Sequence, residues 1–270
     1  MEVDQEQSLV FTLEAEDGSS FQVELQQVVT IDGKDYGILV NLADDSCTIM
    51  RMIGSEEETT FSVIETDEEF ERVSAHLDKL AEQYRQDAEA TSREIETLRE
   101  QGDAKMNDKL FEQASESYLS AWNLVDGDTY GPEDAFWLLM SLADANMRNR
   151  EFENAMDVLA VAFQNFQELA LGNSYFHLRV GQTKYHLDPE NDSRQAGSAI
   201  DDLARALVCG GIEMFDGEDR EFLSMVTSIL EPPEGFESWE ESRGKFAGMA
   251  RDRLESASGY PKKIIEERLR

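Results

Sequence analysis

The apolar residues of this chain change their period once, close to residue 66, and the change limits what the chain can fold into. Before it they recur at every second position, as in half-buried strands; after it they recur at every third or fourth, as in helices. The stretch from Asp67 to Arg99 begins at the change. Its apolar positions are Phe70, Val73, Leu77, Leu80, Tyr84, Ala88, Ile95 and Leu98, with Thr91 filling the one gap, and they form a single stripe along a helix. The other positions are mostly charged, no Gly or Pro interrupts them, and Thr66 or Asp67 followed by Glu69 supplies a cap. A helix over 67–99 would be about 45–50 Å long. The chain is therefore expected to be α+β, with this helix linking a β domain at 1–66 to an all-α domain.

The first 66 residues read as an antiparallel meander of about five strands. Leu9, Phe11, Leu13 and Ala15 alternate with polar residues, and Asp17-Gly18 turns the chain into a second strand that begins at Phe21 and runs to Ile31. Asp32-Gly33 makes the next turn, because glycine adopts positive φ without steric cost. Tyr36 to Leu42, Cys47 to Ile53 and Thr59 to Glu65 complete the set. One face of such a sheet needs cover, and the start of the long helix can supply it. The motifs Phe11-Thr12-Leu13 with Glu16-Asp17-Gly18, Ile31-Asp32-Gly33-Lys34-Asp35-Tyr36 and Asp67-Glu68-Glu69-Phe70-Glu71-Arg72-Val73 resemble a small bacterial domain of unknown function, the DUF1292 (UPF0473) family, over about residues 8–80. The resemblance brings no catalytic residues. The many Asp and Glu of this region fall mostly in turns, where they hydrogen-bond locally, and no loop has the ligand order of a calcium site.

From about residue 100 a repeat emerges. Gly102, Ala114, Tyr118 and Ala121 are separated by 12, 4 and 3 residues, and Ala143, Ala155, Leu159 and Ala162 repeat those offsets. Gly181, Ala199, Leu203 and Ala206 make a third copy, lengthened around Leu187-Asp188-Pro189-Glu190-Asn191-Asp192. The pattern resembles three degenerate tetratricopeptide (TPR) repeats over 100–211, in which small residues let paired helices approach and an aromatic fills the gap. Gly172 and Asn173 read as a helix stop and a helix cap, and Gly210-Gly211 as the end of the third pair. Residues 212–270 then supply capping helices, one closed by Pro232-Pro233 and one from Trp239 to Ser256, followed by a tail. The stretch Gly172 to Gln182, together with Gly217-Glu218-Asp219, is similar to bacterial TPR proteins that serve as immunity partners of secreted toxins.

The resemblance to a TPR array implies that the first helix of each pair lines a concave surface. The positions so placed are Arg99, Asp103 and Met106; Trp137, Met140, Asp144 and Met147; and Tyr175, Leu178, Gln182 and Tyr185. Methionines and aromatics there would make an adaptable peptide-binding wall, although Trp137, Tyr175 and Tyr185 are also open to a helix-packing role, and Met140 and Leu178 more so. A clamp for chain-terminal carboxylates is not expected, since Asp103 stands where an Asn is required.

Charge sets the sign of the partner. The chain carries 58 Asp and Glu against 24 Lys and Arg, a net charge of −34. Residues 1–100 hold 26 acidic and 7 basic side chains, 101–240 hold 27 and 9, and 241–270 hold 5 and 8, so both domains are acidic and only the tail is basic. Such a field repels nucleic acid and anionic membrane and attracts basic proteins; keeping the chain soluble is the plainer use of the same charge. Cys47 and Cys209 are isolated, and neither a leader nor an apolar run long enough for a membrane is present, so a reducing, cytoplasmic location is expected. His76, His177 and His186 lack metal-ligand spacing, and no nucleophile, phosphate-loop or dinucleotide motif occurs. No enzyme, cofactor or metal is expected. The reading is a non-enzymatic protein-binding module for a basic protein, possible versions being an immunity protein or a chaperone of a secreted effector. The alternatives are a scaffold for a bacterial complex and a DNA-mimicking inhibitor.

Overall fold

The computed structural model describes residues 9–14, 18–55, 58–127, 130–189 and 197–245. The chain divides into two compact units, one up to Gln86 and one from Asp87.

In the first unit, β1 (Leu9–Glu14), β2 (Ser20–Ile31), β3 (Lys34–Asn41), β4 (Cys47–Ser55) and β5 (Glu58–Ser62) form one antiparallel sheet in sequence order, the predicted meander. Asp32 and Gly33 both take positive φ, 52° and 73°, which gives the two-residue turn whose twist matches the β2–β3 pair. The next turn is closed by Asp44, which accepts hydrogen bonds from the backbone and hydroxyl of Ser46. The register slips once, between Leu25 and Gln27 of β2. One face of the sheet carries Val29, Ile31 and Tyr36, all buried under Val73 with Leu77 and Leu80 of the long helix. The other face curls on itself: the rings of Phe11 in β1 and Phe61 in β5 meet edge to face at 4.8 Å although three strands lie between them. Gly37 makes room for the curl. A Cβ there would meet Leu25, Phe61 and Met52 side chains at 3.0–3.3 Å.

Helix α1 (Asp67–Asn107) begins as expected. Thr66 is its cap, accepting from the Glu69 backbone at 3.2 Å. The Glu69 carboxylate in turn accepts from Tyr36 Oη at 2.7 Å and Lys34 Nζ at 2.9 Å, which fixes the first turn to β3. These bonds, Tyr36 first, hold the Glu69 carboxyl below its ordinary range, and burial together with Glu69 pushes the Tyr36 hydroxyl up. The helix does not stop at Arg99 but runs to Asn107. Gly102 lies within it at a point of close approach, since a Cβ there would lie 2.4 Å from the Tyr118 ring of the next helix.

The second unit adds α2 (Phe111–Trp122), α3 (Pro132–Arg148), α4 (Phe152–Asn165), a short α5 (Gln167–Leu171), α6 (Ser174–Leu187), α7 (Ala199–Gly210) and α8 (Arg220–Thr227), with single 3-10 turns at Ile212–Phe215 and Glu240–Ser242. Helix α2 packs on α3, α3 on α4, α4 on α6 and α6 on α7. The α1–α2 and α3–α4 connections are the same turn 41 residues apart. Leu110 N donates to Lys105 O and Glu151 N to Asn146 O, while Lys109 and Arg150 both take left-handed φ, 61° and 64°. The equivalent Ala114 and Ala155, Tyr118 and Leu159, Ala121 and Ala162 are all buried at the helix contacts. Asn173 caps α6 through the backbone of Tyr175 and Phe176, and Gly211 (φ 78°) ends α7, as the sequence predicts.

Two expectations change. The five-residue α5 was not foreseen. The helix expected from Trp239 is, over its described part, the single turn Glu240–Ser242, because Gly244 takes φ 79° and leaves the helical path; residues 246–256 lie outside the described residues. The turn at 190–196 and the Asp17 side of the first hairpin also lie outside them. Among the described residues, no helix is long and apolar enough to cross a membrane.

Candidate functional site

The groove positions named from the repeat fall into two sets. Met106, Trp137, Met140, Leu178 and Tyr175 are buried in the cores of the helical unit. Arg99 is buried against Glu96 and Asp103, and Asp103 also accepts from Tyr118 Oη at 2.7 Å. Glu96 holds the Arg99 guanidinium above its ordinary range. Asp144, Met147 and Gln182 instead line one cavity, and Tyr185 lies against Phe222 and Glu221 of α8.

Their centre is Arg179. It is 2% exposed, on α6, with its guanidinium held from three sides. Asp144 of α3 lies 2.5 Å from Nε, Glu218 lies 3.0 Å from one terminal nitrogen, and that nitrogen also donates to Gln182 Oε1 at 2.6 Å. The other donates to Tyr175 Oη at 2.8 Å, and the Tyr175 hydroxyl donates to Asp144 at 2.5 Å. Gln182 closes the ring by donating to Glu218 at 2.9 Å. The Tyr175 ring lies 4.6 Å beneath the guanidinium. Burial alone would lower the Arg179 pKa, but Asp144 and Glu218 reverse the effect and hold it well above its ordinary value. A buried arginine needs both its charge and its fork of donors met; here two carboxylates meet the charge and both terminal nitrogens find acceptors, while Nε faces Asp144 as an ion pair without hydrogen-bond geometry.

Beside this cluster is a cavity of about 370 Å³. Asp144, Arg179, Gln182 and Glu218 form one wall. Met147, Arg148 and Arg150 at the end of α3 form another, with Phe152, His186 and Phe222 opposite. His186 stacks on Phe152 at 4.3 Å and meets Phe222 edge-on. Burial and the Arg150 charge push its pKa down, against Asp219 and Glu221. Tyr185, half-buried, donates to Glu221 at 2.7 Å. The groups on this wall anchor one another, and the arrangement can recognise a charged side chain at its rim, where Arg148, Arg150 and Asp219 form no ion pair with one another.

Arg179 and Glu218 were not singled out as site residues. Nothing in their local sequence marks them as partners, since they are 39 residues apart. A second polar cluster lies between α6 and α7. His177 Nδ1 is 3.3 Å from Asp202, its Nε2 is 3.1 Å from Leu171 O, and Lys184 Nζ is 2.6 Å from Asp202. Among the described residues, no group of three His, Cys, Asp or Glu side chains is placed to hold a metal ion.

Comparison with known proteins bears on the first unit. The family described as "Protein of unknown function (DUF1292)" matches residues 16–82, which span β2 to β5 and the start of α1. A UPF0473 protein of Heliobacterium modesticaldum (strain ATCC 51547 / Ice1) is 40% identical over 84 residues, which is 30% of this chain and 94% of that protein. The family match covers β2 to β5, the Asp32-Gly33 turn and the first turns of α1, and the Arg179 cluster lies outside it. Through its N-terminal unit, the chain belongs to the DUF1292 (UPF0473) family.

Proposed function

We propose that this protein is a non-catalytic binding protein whose helical unit is a TPR-like array that holds a protein of basic surface. The observation that carries the reading is the repetition of one helix pair, turn for turn, at 41 residues, since stacked pairs of this kind make extended surfaces for other chains. The charge sets the partner's sign: residues 101–240 carry 27 acidic against 9 basic side chains. A negative field speeds and orients the approach of a basic protein, and burial of a few anchoring side chains then holds it. Protection or escort of a secreted effector is the most concrete form of this role, in a cytoplasmic setting.

The test is a pull-down of the tagged full-length protein from native lysate at low and high salt. One stoichiometric basic partner, lost at high salt and weakened by Tyr185→Ala, is the expected result. Several stoichiometric partners would point to a scaffold, and competition by duplex DNA to a DNA mimic; a salt-insensitive acidic partner would overturn the reading. Trp137→Ala is not a usable probe, because that ring is core and its truncation costs about 3–5 kcal/mol.

A further inference from the structure

Beyond α7 the chain folds back through the turn Ile212–Phe215, α8 and the turn Glu240–Ser242, and these enclose a second cavity, of about 860 Å³. Its floor is apolar: Ile212, Phe215 and Trp239 are buried, with Leu223 and Leu230 on the walls. The floor is fixed in place. The Trp239 indole donates to Leu230 O at 3.0 Å, and Arg243 ties the two sides together, 2.6 Å from both Asp216 and Glu240. Hydrogen bonding to these two carboxylates, Glu240 first, holds the Arg243 guanidinium above its ordinary range, and Arg243 holds the Glu240 carboxyl below its own.

The rim is acidic. Asp216, Glu218, Glu237 and Glu240 line it against Arg220 and Arg243. Glu218 is turned to Arg179, and Arg243 is shared between two carboxylates. That leaves the Glu237 carboxylate and the Arg220 guanidinium exposed, with no partner for either side chain among the described residues, and, with four carboxylates against two arginines, leaves an excess of negative charge around an apolar floor. A purely aliphatic ligand would leave that rim unpaired, and an anionic one would find only Arg220 free to pair with it against an excess of carboxylates. A basic side chain beside an apolar one satisfies both parts.

We propose that this cavity is the docking site for a basic amphipathic segment of the partner protein. An aliphatic or aromatic side chain of the segment seats between Phe215, Leu223 and Trp239, and a neighbouring Lys or Arg pairs with Glu237 at the mouth. The proposal rests on the reading of the protein as a binder of basic proteins and gives that reading a location. Because the wall is pre-formed, little ordering cost is left to the moment of binding, and the long-range field of the unit adds to the local pairing.

The experiment uses the full chain and three capped hexapeptides in calorimetric titrations: Lys-Leu-Phe-Lys-Lys-Leu, the same peptide with Glu for Lys, and Lys-Ser-Ser-Lys-Lys-Ser. The expected result is single-site binding of the first peptide alone, weakened about tenfold or more by Glu237→Lys and by Leu223→Ser, with the circular dichroism of both variants unchanged. Binding that neither variant alters would overturn the site, and equal binding of the Lys-Ser peptide would reduce it to a non-specific charge effect. Two other occupants are separable. If Lys262→Glu with Lys263→Glu raises peptide affinity about tenfold, the chain's own basic tail fills the cavity and the partner assignment fails. If sedimentation shows self-association that Glu237→Lys abolishes, the occupant is a second copy. A salt-sensitive basic partner still captured by the Glu237→Lys protein would leave the general reading standing and remove only this site.

Discussion

Arg179 concentrates the energetics of the helical unit in one side chain. A guanidinium 2% exposed, set between Asp144 and Glu218, is stable only while both carboxylates and the Tyr175 hydroxyl remain in reach. Arg179→Met should therefore destabilise the unit by about 3–5 kcal/mol, because it strands two buried acids rather than merely losing an attraction. Urea unfolding followed by helical circular dichroism would measure it, and a loss below about 1 kcal/mol would mean the cluster relaxes toward water. Lys109 makes the opposite case. It holds a left-handed φ of 61° at the end of α1, where a side chain strains the backbone and glycine does not. Lys109→Gly should raise stability by about 0.5 kcal/mol, the relief of strain outweighing glycine's greater freedom in the unfolded chain. A lower thermal midpoint for that variant would contradict the assignment.

Between elements, glycine does different work. At Gly102 an added Cβ would lie 2.4 Å from the Tyr118 ring, and at Gly181 it would lie 2.9 Å from the Leu203 backbone nitrogen. A ring can tilt; a backbone cannot. Both alanine variants should lose stability, by about 1–3 kcal/mol, with Gly181→Ala the costlier. Thermal melts rank them, and the reverse order would show that α7 shifts more readily than Tyr118. These same glycines explain what could be read in advance. The sheet was legible in part because its Asp32-Gly33 turn is a short-range signal that needs no distant partner. The end of α1 was not: Gly102 was read as the small residue of a helix contact, but nothing local showed that the helix runs on through it to Asn107. Gly244 worked the other way, taking the chain off the helical path just after the single turn Glu240–Ser242. At the candidate site, Asp144 and Gln182 followed from the repeat offsets, whereas Arg179 required acids 35 and 39 residues away to be recognised.

For the whole molecule, charge makes stability depend on both pH and salt. At pH 7 the net charge of −34 repels itself, so added sodium chloride should raise the thermal midpoint by screening. Acid works in two stages. Mild acidification relieves the repulsion, but Glu69 and Asp202 are held below their ordinary range in the folded chain. Glu69 is held there by Tyr36 and Lys34. For Asp202, burial pushes upward and the bonds from His177 and Lys184 prevail. A depressed carboxyl stabilises the fold above its unfolded pKa and loses that contribution as pH falls through its folded value. Stability should thus fall once the pH drops below about 4, and Glu69→Gln and Asp202→Asn should each flatten that acid limb in a pH series of melts. A limb unchanged in both variants would place the sensitive acids elsewhere.

The middle of α1 carries a different consequence. Residues 81–87 are exposed on every side, so this stretch keeps its shape through its own hydrogen bonds and can melt locally at small cost. A protease needs such a melted segment. Of the cuts trypsin makes within α1, the first should therefore fall after Arg85, ahead of Arg99 in its buried ion pairs. The N-terminal fragment released would carry the sheet together with Val73, Leu77 and Leu80, which cover it, and should keep a cooperative melt of its own. One brief digestion followed by mass spectrometry would yield the DUF1292 module as nature could trim it, ready for study without its helical companion.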